Sequence, residues 1–273
     1  MKIRRASIDG VEQPNPDGEE LVPAQGNGAY EAFRVHDGKV FLFDEHFERL
    51  KKSLGALAID WDDERQKYSA WIAELCGNLP ADEDAFVRFV VTGRGSEPVT
   101  TVQASYIRHF APRSYKAVVL DQTKLDDPEY YREVGFRVKS VNYIGERTDK
   151  QRSAGLDTAT EGILLTPEGY IAESLSANIF WVKDGKLYTP PLSTGILAGT
   201  MRAYIMKNNQ VEEILAPKEA LDEADEIILT SGASYLRPLG RINDIEKPGA
   251  EGPVFKKLYE KLTEDIEKNS KHL

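Results

Sequence analysis

Between Tyr115 and Gly232 the chain repeats one pattern, a short run of β-branched, aromatic and aliphatic residues followed by a break. YKAVVLDQ, GFRVKSVNY, GILLTPEGYIAES, NIFWVKDGKLYTP and EIILTSG all carry it. Runs of this length and composition satisfy their backbone groups best by pairing in a sheet. Pro167-Glu168-Gly169 and Asp184-Gly185 supply tight turns between them. A strand-rich domain is therefore expected over the second half. Helices are expected over 145–154, 199–209, 217–224 and 253–268, the last from Val254, Phe255, Leu258, Tyr259, Leu262 and Ile266 on one face.

The first half reads differently. AYEAFRV (29–35) and KVFLFD (39–44) flank Asp37-Gly38, a strong hairpin signal. DEHFERLKKSLGAL then reads as a helix capped by Asp44, with Phe47, Leu50, Leu54 and Leu57 at helical spacing. A second helix is expected over 63–76, and strands over 85–93 and 99–110 around a GRGSEP turn. Strand–helix–helix–strand–strand makes a compact α/β or α+β unit. Pro112, in FAPRSYK, marks the expected boundary, with an N-terminal domain over 1–112, a linker over 113–117 and a C-terminal domain over 118–273.

Composition excludes several classes. The 273 residues carry a net charge of −10 spread along the chain, which leaves no basic stripe for nucleic acid. No apolar run reaches the roughly 20 residues that cross a bilayer. MKIRRASIDGVEQ lacks the apolar segment of a signal peptide. One cysteine, Cys76, allows no internal disulfide, and a cytoplasmic protein is expected. His36, His46, His109 and His272 form no HxH or HxxxH pair, and no CxxC is present, so no metal site is expected from spacing.

Five features can carry chemistry. Lys139 lies in FRVKSVNYI; on an extended segment it shares a face with Arg137, Val141 and Tyr143. Desolvation there would favour a neutral, nucleophilic amine, whereas a solvated face would leave an ordinary lysine. Glu173 opens a polar run with Ser174, Ser176 and Asn178 that suits a cationic ring nitrogen or an irregular connection. Gly195 and Gly199 precede a helix near Thr200, whose leading amides suit an anion. Ser231-Gly232-Ala233-Ser234 ends an apolar strand. Arg88 interrupts AFVRFVV and needs an anion if buried, either a structural carboxylate or a substrate one.

The order and spacing of these features resemble the class IV aminotransferases, the fold-type IV pyridoxal-phosphate enzymes. That family includes D-amino-acid aminotransferases, branched-chain aminotransferases and aminodeoxychorismate lyase. The resemblance runs from GAYEAFRVHDGKVFLFDEHFERL to the C-terminal helix. It is strongest in VKSVNYI, ESLSANIFWVKDGKLYTPPL and GILAGTMR, and continues through ADEIILTSGAS and RPLGRIND. It implies a smaller N-terminal α/β domain, a larger strand-rich C-terminal domain, pyridoxal 5'-phosphate between them, and a homodimer.

The resemblance also implies roles. Lys139 matches the lysine that binds the cofactor as a Schiff base and then moves the proton between substrate Cα and cofactor C4′. Glu173 matches the carboxylate that keeps the pyridine nitrogen protonated. Tyr143 falls beside the ring's 3-oxygen, with Ser176 and Asn178 in the cofactor-binding run. Arg49 matches the phosphate-binding arginine, and Thr200, Met201, Ser231, Gly232 and Ala233 the phosphate cup. Tyr30 falls at a substrate-facing tyrosine, and Arg88, with Arg34 as second candidate, at a substrate-carboxylate site.

This chain departs from its relatives in places. Gly232 stands where they usually carry a threonine, which Ser231 can replace. YEAFR and SGASY stand where branched-chain enzymes tend to have FEGIR and GTAAE. The GRGSEP loop lacks the RxH carboxylate trap of many D-amino-acid enzymes. The AYE and KSVN segments lean towards D-amino acids, and LSANIFWVKDG equally resembles the lyase. The expected reaction is amino transfer from an amino acid, a D-amino acid such as D-alanine or D-glutamate favoured, to a 2-oxo acid such as 2-oxoglutarate. The alternatives are branched-chain L-amino-acid transfer, the lyase reaction, and a silent binder that keeps the fold. Intact Lys139 and Glu173 argue against the last.

Overall fold

A computed structural model describes residues 5–13, 27–77, 79–80, 82–93, 98–124 and 135–273. The chain divides into two compact units. One comprises residues 1–110, 138–144 and 265–273, and the other residues 111–137 and 145–264. Each is built on its own sheet of a mixed α+β architecture.

The first unit holds a seven-stranded sheet. Its strands are β1 (Arg5–Ile8), β2 (Val11–Glu12), β3 (Gly28–His36), β4 (Lys39–Val40), β5 (Glu83–Thr92), β6 (Val99–Arg108) and β16 (Lys271–His272). Their spatial order is β16-β4-β3-β5-β6-β1-β2, with every pairing antiparallel. Asp37 and Gly38 turn β3 into β4 with φ of 48° and 65°, the left-handed pair that a two-residue hairpin needs.

Alternation along β3 and β5 sends Phe33, Val35, Val87 and Phe89 to one face. There they meet Phe47, Leu50 and Leu54 of helix α1 (Phe43–Ala56) and Ile72 of helix α2 (Arg65–Cys76). Phe47 and Phe89 rings lie 5.2 Å apart. Burial of each such side chain is worth roughly 1.5–3 kcal/mol. Cys76 closes α2 as a buried thiol, and burial pushes its pKa up to about 12. It is an inert core residue.

The second unit holds a nine-stranded sheet of β7 (Tyr115–Lys124), β8 (Thr160–Leu165), β9 (Ile171–Ser174), β10 (Asn178–Lys183), β11 (Lys186–Thr189), β12 (Val211–Glu213), β13 (Glu226–Ser231), β14 (Tyr235–Ile242) and β15 (Ile245–Glu246). The order is β12-β11-β10-β13-β14-β7-β8-β9, with β15 on β14. Pairings β7–β8, β7–β14 and β11–β12 are parallel. Ile163, Ile171, Ile179, Ile227, Leu229 and Leu239 form its core. Among the described residues the further α-helices are α3 (Asn142–Ser153), α4 (Thr200–Asn208), α5 (Glu219–Asp222) and α6 (Pro253–Asn269). None of the described helices is long and apolar enough to cross a membrane.

Several expectations need correction. KVFLFD is not a six-residue strand. Leu42 takes the left-handed conformation (φ 58°), which ends β4 and starts α1 at Phe43. Asp44 therefore lies in the first helical turn rather than at the cap, where it meets Lys271 at 3.1 Å and Arg65 at 3.2 Å. The 136–144 segment is not a strand either, because α3 begins at Asn142. Residues 138–144 group with the N-terminal unit instead of the C-terminal half, through backbone bonds to β3. Tyr115 begins β7 inside the segment expected as a linker. The central GRGSEP residues, 94–97, lie outside the described residues.

Candidate active site

In the first unit Lys139 lies against the start of β3. The Tyr30 amide donates to the Lys139 carbonyl at 3.0 Å, and the Val141 amide to the Gly28 carbonyl at 3.0 Å. Ala29 and Ser140 form an isolated antiparallel bridge. The Ser140 hydroxyl accepts from the Asn142 amide at 3.1 Å, as helix-opening serines do. The backbone on both sides of Lys139 is thus fixed. Its Nζ sits 4.4 Å from the centre of the Tyr30 ring, within cation–π range. Tyr30 is buried, and so is Tyr143 in the first turn of α3.

Arg49 reaches from α1 to Glu31 on the core face of β3. Its Nε and Nη2 donate to the two carboxylate oxygens at 2.8 and 2.6 Å. His46, one turn earlier, brings Nδ1 to the same carboxylate at 2.7 Å. Burial by itself raises the Glu31 pKa. The Arg49 charge and the hydrogen bonds from Arg49 and His46 outweigh it and hold Glu31 at about 2. Burial lowers the His46 pKa, with the Arg49 and Lys139 charges acting the same way against Glu31. A neutral imidazole donating to an ionised carboxylate satisfies both. The sequence reading missed Glu31 and His46. The available signal was an acid inside the apolar alternation of AYEAFRV and a histidine at i−3 from Arg49.

Arg88 stands opposite Ala32 in the β3–β5 register, which puts it on the Tyr30 face of the sheet and diagonal to Tyr30. Arg34 lies on that face too. Its guanidinium donates to the buried Asp84 carboxylate and, at 2.9 Å, to the Arg108 carbonyl.

The second unit gathers a different set. Glu173, at the end of β9, is buried at 2% exposure. Its Oε2 accepts from Asn178 Nδ2 at 3.2 Å and from the Leu197 amide at 3.0 Å. Asn178 Nδ2 also donates to the Leu197 carbonyl at 2.8 Å. Gly199 follows in ordinary backbone geometry, yet a Cβ there would stand 2.0 Å from Asn178 Oδ1. Close approach requires this glycine and was not foreseen.

Thr200 and Met201 then open α4, both buried. Asn178 pairs with Thr230, one residue before Ser231. Ser231, Gly232 and Ala233 lie in the β13–β14 hairpin, where Ser231 Oγ meets Ser234 Oγ at 2.6 Å and Tyr235 takes φ 53°. One unit therefore brings together Glu173, Asn178, the start of α4 and the end of β13. Ser176 stands apart, with its hydroxyl bonded to Glu161 and accepting from Arg237 Nη2 at 2.6 Å.

Each unit carries groups that suit a pyridoxal cofactor. The first holds an amine on a fixed backbone and an arginine. The second holds a buried carboxylate with two donors and helix-leading amides beside a glycine that admits no Cβ. Residues 28–242 match the amino-transferase class IV family. Aminodeoxychorismate lyase of Bacillus subtilis (strain 168) is 29% identical over 255 residues, covering 86% of this chain and 85% of the lyase. D-alanine aminotransferase of Bacillus licheniformis is 27% identical over 257 residues, covering 88% of each. The crystal structure of an aminotransferase from Brucella abortus bound to pyridoxal phosphate superposes with a TM-score of 0.83 at 19% identity, covering 96% of this chain and 99% of that one. The chain belongs to the class IV aminotransferase family. It is an enzyme, and pyridoxal phosphate is its cofactor.

Proposed function

We propose that this enzyme transfers an amino group from an amino acid, a D-amino acid such as D-alanine or D-glutamate, to a 2-oxo acid such as 2-oxoglutarate. The observation that carries the amine chemistry is Lys139, its backbone bonded on both sides to β3 and its amine against Tyr30. When bound, pyridoxal phosphate supplies an electron sink that lets the substrate Cα lose a proton. Lys139 would hold the cofactor covalently and, once the substrate amine displaces it, would be free to move the proton between substrate Cα and cofactor C4′. The Glu173 carboxylate would accept a hydrogen bond from the protonated ring nitrogen, and the Asn178 and Leu197 donors fix its orientation. Tyr143 steadies the 3-oxygen. Arg49 in the first unit, and in the second the Thr200 and Met201 amides and Ser231 in place of the missing threonine, would each supply a phosphate contact, with Gly232 and Ala233 in the same hairpin as Ser231. Asn178 positions Glu173, and Ser176 acts one layer back.

Arg88 binds the substrate carboxylate beside Tyr30. Arg34, the second candidate, lies on the same face and donates to the Asp84 carboxylate and the Arg108 carbonyl. A homodimer accompanies this reading, by the family's implied assembly. Similarity to the D-alanine aminotransferase supports the D-amino-acid donor. Similarity to the lyase supports a second reading, cleavage of aminodeoxychorismate. The test incubates the holoenzyme with D-alanine and 2-oxoglutarate, with L-leucine and 2-oxoglutarate, and with aminodeoxychorismate. Pyruvate from the first alone supports the proposal. Turnover confined to L-leucine or to aminodeoxychorismate replaces it.

A further inference from the structure

At one end of the seven-stranded sheet the termini of β3, β5 and β6 converge on Asp84. This carboxylate is buried, with 1% of its side chain exposed. Arg34 holds Oδ2. Oδ1 faces two imidazoles at once, His36 Nδ1 at 2.7 Å and His109 Nδ1 at 2.7 Å. The ligand atoms of all three residues lie within 4.8 Å of one another. The two rings meet edge to face, with centroids 5.1 Å apart. Unlike Asp84, they reach solvent, with 50% of the His36 and 39% of the His109 side chain exposed.

We propose that His36, Asp84 and His109 form a binding site for a divalent transition-metal ion of zinc's class, independent of the transamination chemistry. Two imidazole nitrogens and one carboxylate oxygen select zinc, cobalt or nickel over magnesium or calcium, which prefer all-oxygen shells. A tetrahedral ion about 2.0–2.1 Å from each ligand needs ligand atoms about 3.3 Å apart. Each imidazole must withdraw by about 0.6 Å from its present hydrogen bond to reach that spacing. The exposed rings can make that movement, whereas the buried carboxylate cannot.

Each ring offers its Nδ1 lone pair to the ion and carries its ring proton on Nε2. Arg34 orients the carboxylate from behind, the supporting role that outer hydrogen-bond partners play in metal centres. Its positive charge weakens the attraction for a cation, which makes the site weaker than a closed four-ligand one. Three protein ligands leave a further position for water or another ligand.

The chain has only four histidines, so deletion assigns the site cleanly. The holoenzyme is stripped with a chelator and titrated with Zn²⁺ alone by calorimetry. Wild type and the His272→Ala control should each take up one Zn²⁺ per chain. His36→Gln and His109→Gln, which keep a polar group near Asp84, should each lose ~ten-fold or more in affinity. Zn²⁺ should raise the melting temperature of wild type and of the control but of neither variant. Co²⁺ should give visible d–d bands in wild type that vanish in both variants. Absence of stoichiometric uptake, or uptake unchanged in both variants, would overturn the proposal.

Discussion

The Lys139 amine lies 4.4 Å from the centre of the Tyr30 ring, and the same two residues share a backbone hydrogen bond of 3.0 Å. Main chain and side chain are thus fixed by one neighbour. A lysine held this way has little conformational freedom left to lose on forming any further bond. The backbone pairing with β3 is what holds this lysine in place.

Borohydride treatment of the holoenzyme should abolish its visible absorption and leave the cofactor's mass on the peptide containing Lys139. Lys139→Ala should fold with an unchanged far-ultraviolet spectrum and lose about 10²–10⁴-fold or more in turnover, the range attributed to a positioned acid–base group. Peptide mass mapping checks the first statement and steady-state kinetics the second. A mass increase on another lysine would displace Lys139 from its role.

Glu31→Gln removes the charge that Arg49 and His46 face in a fully buried position. The folded pKa of about 2 lies below the ordinary 4.5, so the ionised group stabilises the fold. That contribution is complete above pH 4.5 and fades as the pH falls towards 2. At neutral pH the shift corresponds to about 3 kcal/mol. Urea denaturation at pH 7 should show wild type more stable than Glu31→Gln by an amount of that order. The gap should narrow steadily below pH 4.5. A gap independent of pH would remove the ionic explanation.

Gly199→Ala places a methyl group where Asn178 Oδ1 now stands. Asn178 must move, and its bond to Glu173 goes with it. Overpacking of this kind costs about 1–3 kcal/mol. The variant should also bind pyridoxal phosphate more weakly, because the displacement lies between Glu173 and the start of α4. Equilibrium dialysis with the cofactor measures this, and wild-type affinity would contradict it.

Arg88→Lys keeps the charge but loses the planar fork that grips a carboxylate. If Arg88 binds substrate, KM for the amino acid should rise by roughly ten-fold or more while the cofactor spectrum stays unchanged. An altered spectrum with unchanged KM would move Arg88 to a structural role.

The hairpins, the amphipathic α1 and the alternating core strands were legible in the sequence because their signals are local. The roles proposed for Lys139, Glu173 and Arg49 rest on motif order. Secondary structure around Lys139 was not legible, since KSVN is as compatible with a helix start as with a strand, and Ser140 decides it through a bond to the Asn142 amide. KVFLFD failed for a similar reason. An apolar run fits a strand or a helix, and the left-handed turn at Leu42 has no signature in a leucine. The His36–Asp84–His109 cluster escaped the spacing rules because its members are 48 and 25 residues apart. Antiparallel strands bring them to one end of a sheet, and no local pattern marks that.

The first unit is not contiguous in the chain, since it takes residues 138–144 and 265–273 in addition to the first 110. During synthesis from the N-terminus, most of its sheet leaves the ribosome well before Lys139 does. At about 5–20 residues per second, the 27 residues of 111–137 delay the lysine segment by roughly one to five seconds. β16, which pairs with β4 at the sheet edge, emerges later still. A nascent chain halted near residue 110 would thus hold α1, α2 and their aromatic core but neither the Lys139 segment nor that edge strand. The unit's hydrophobic interior and the segment that carries Lys139 are completed at separate times, and the lysine comes second.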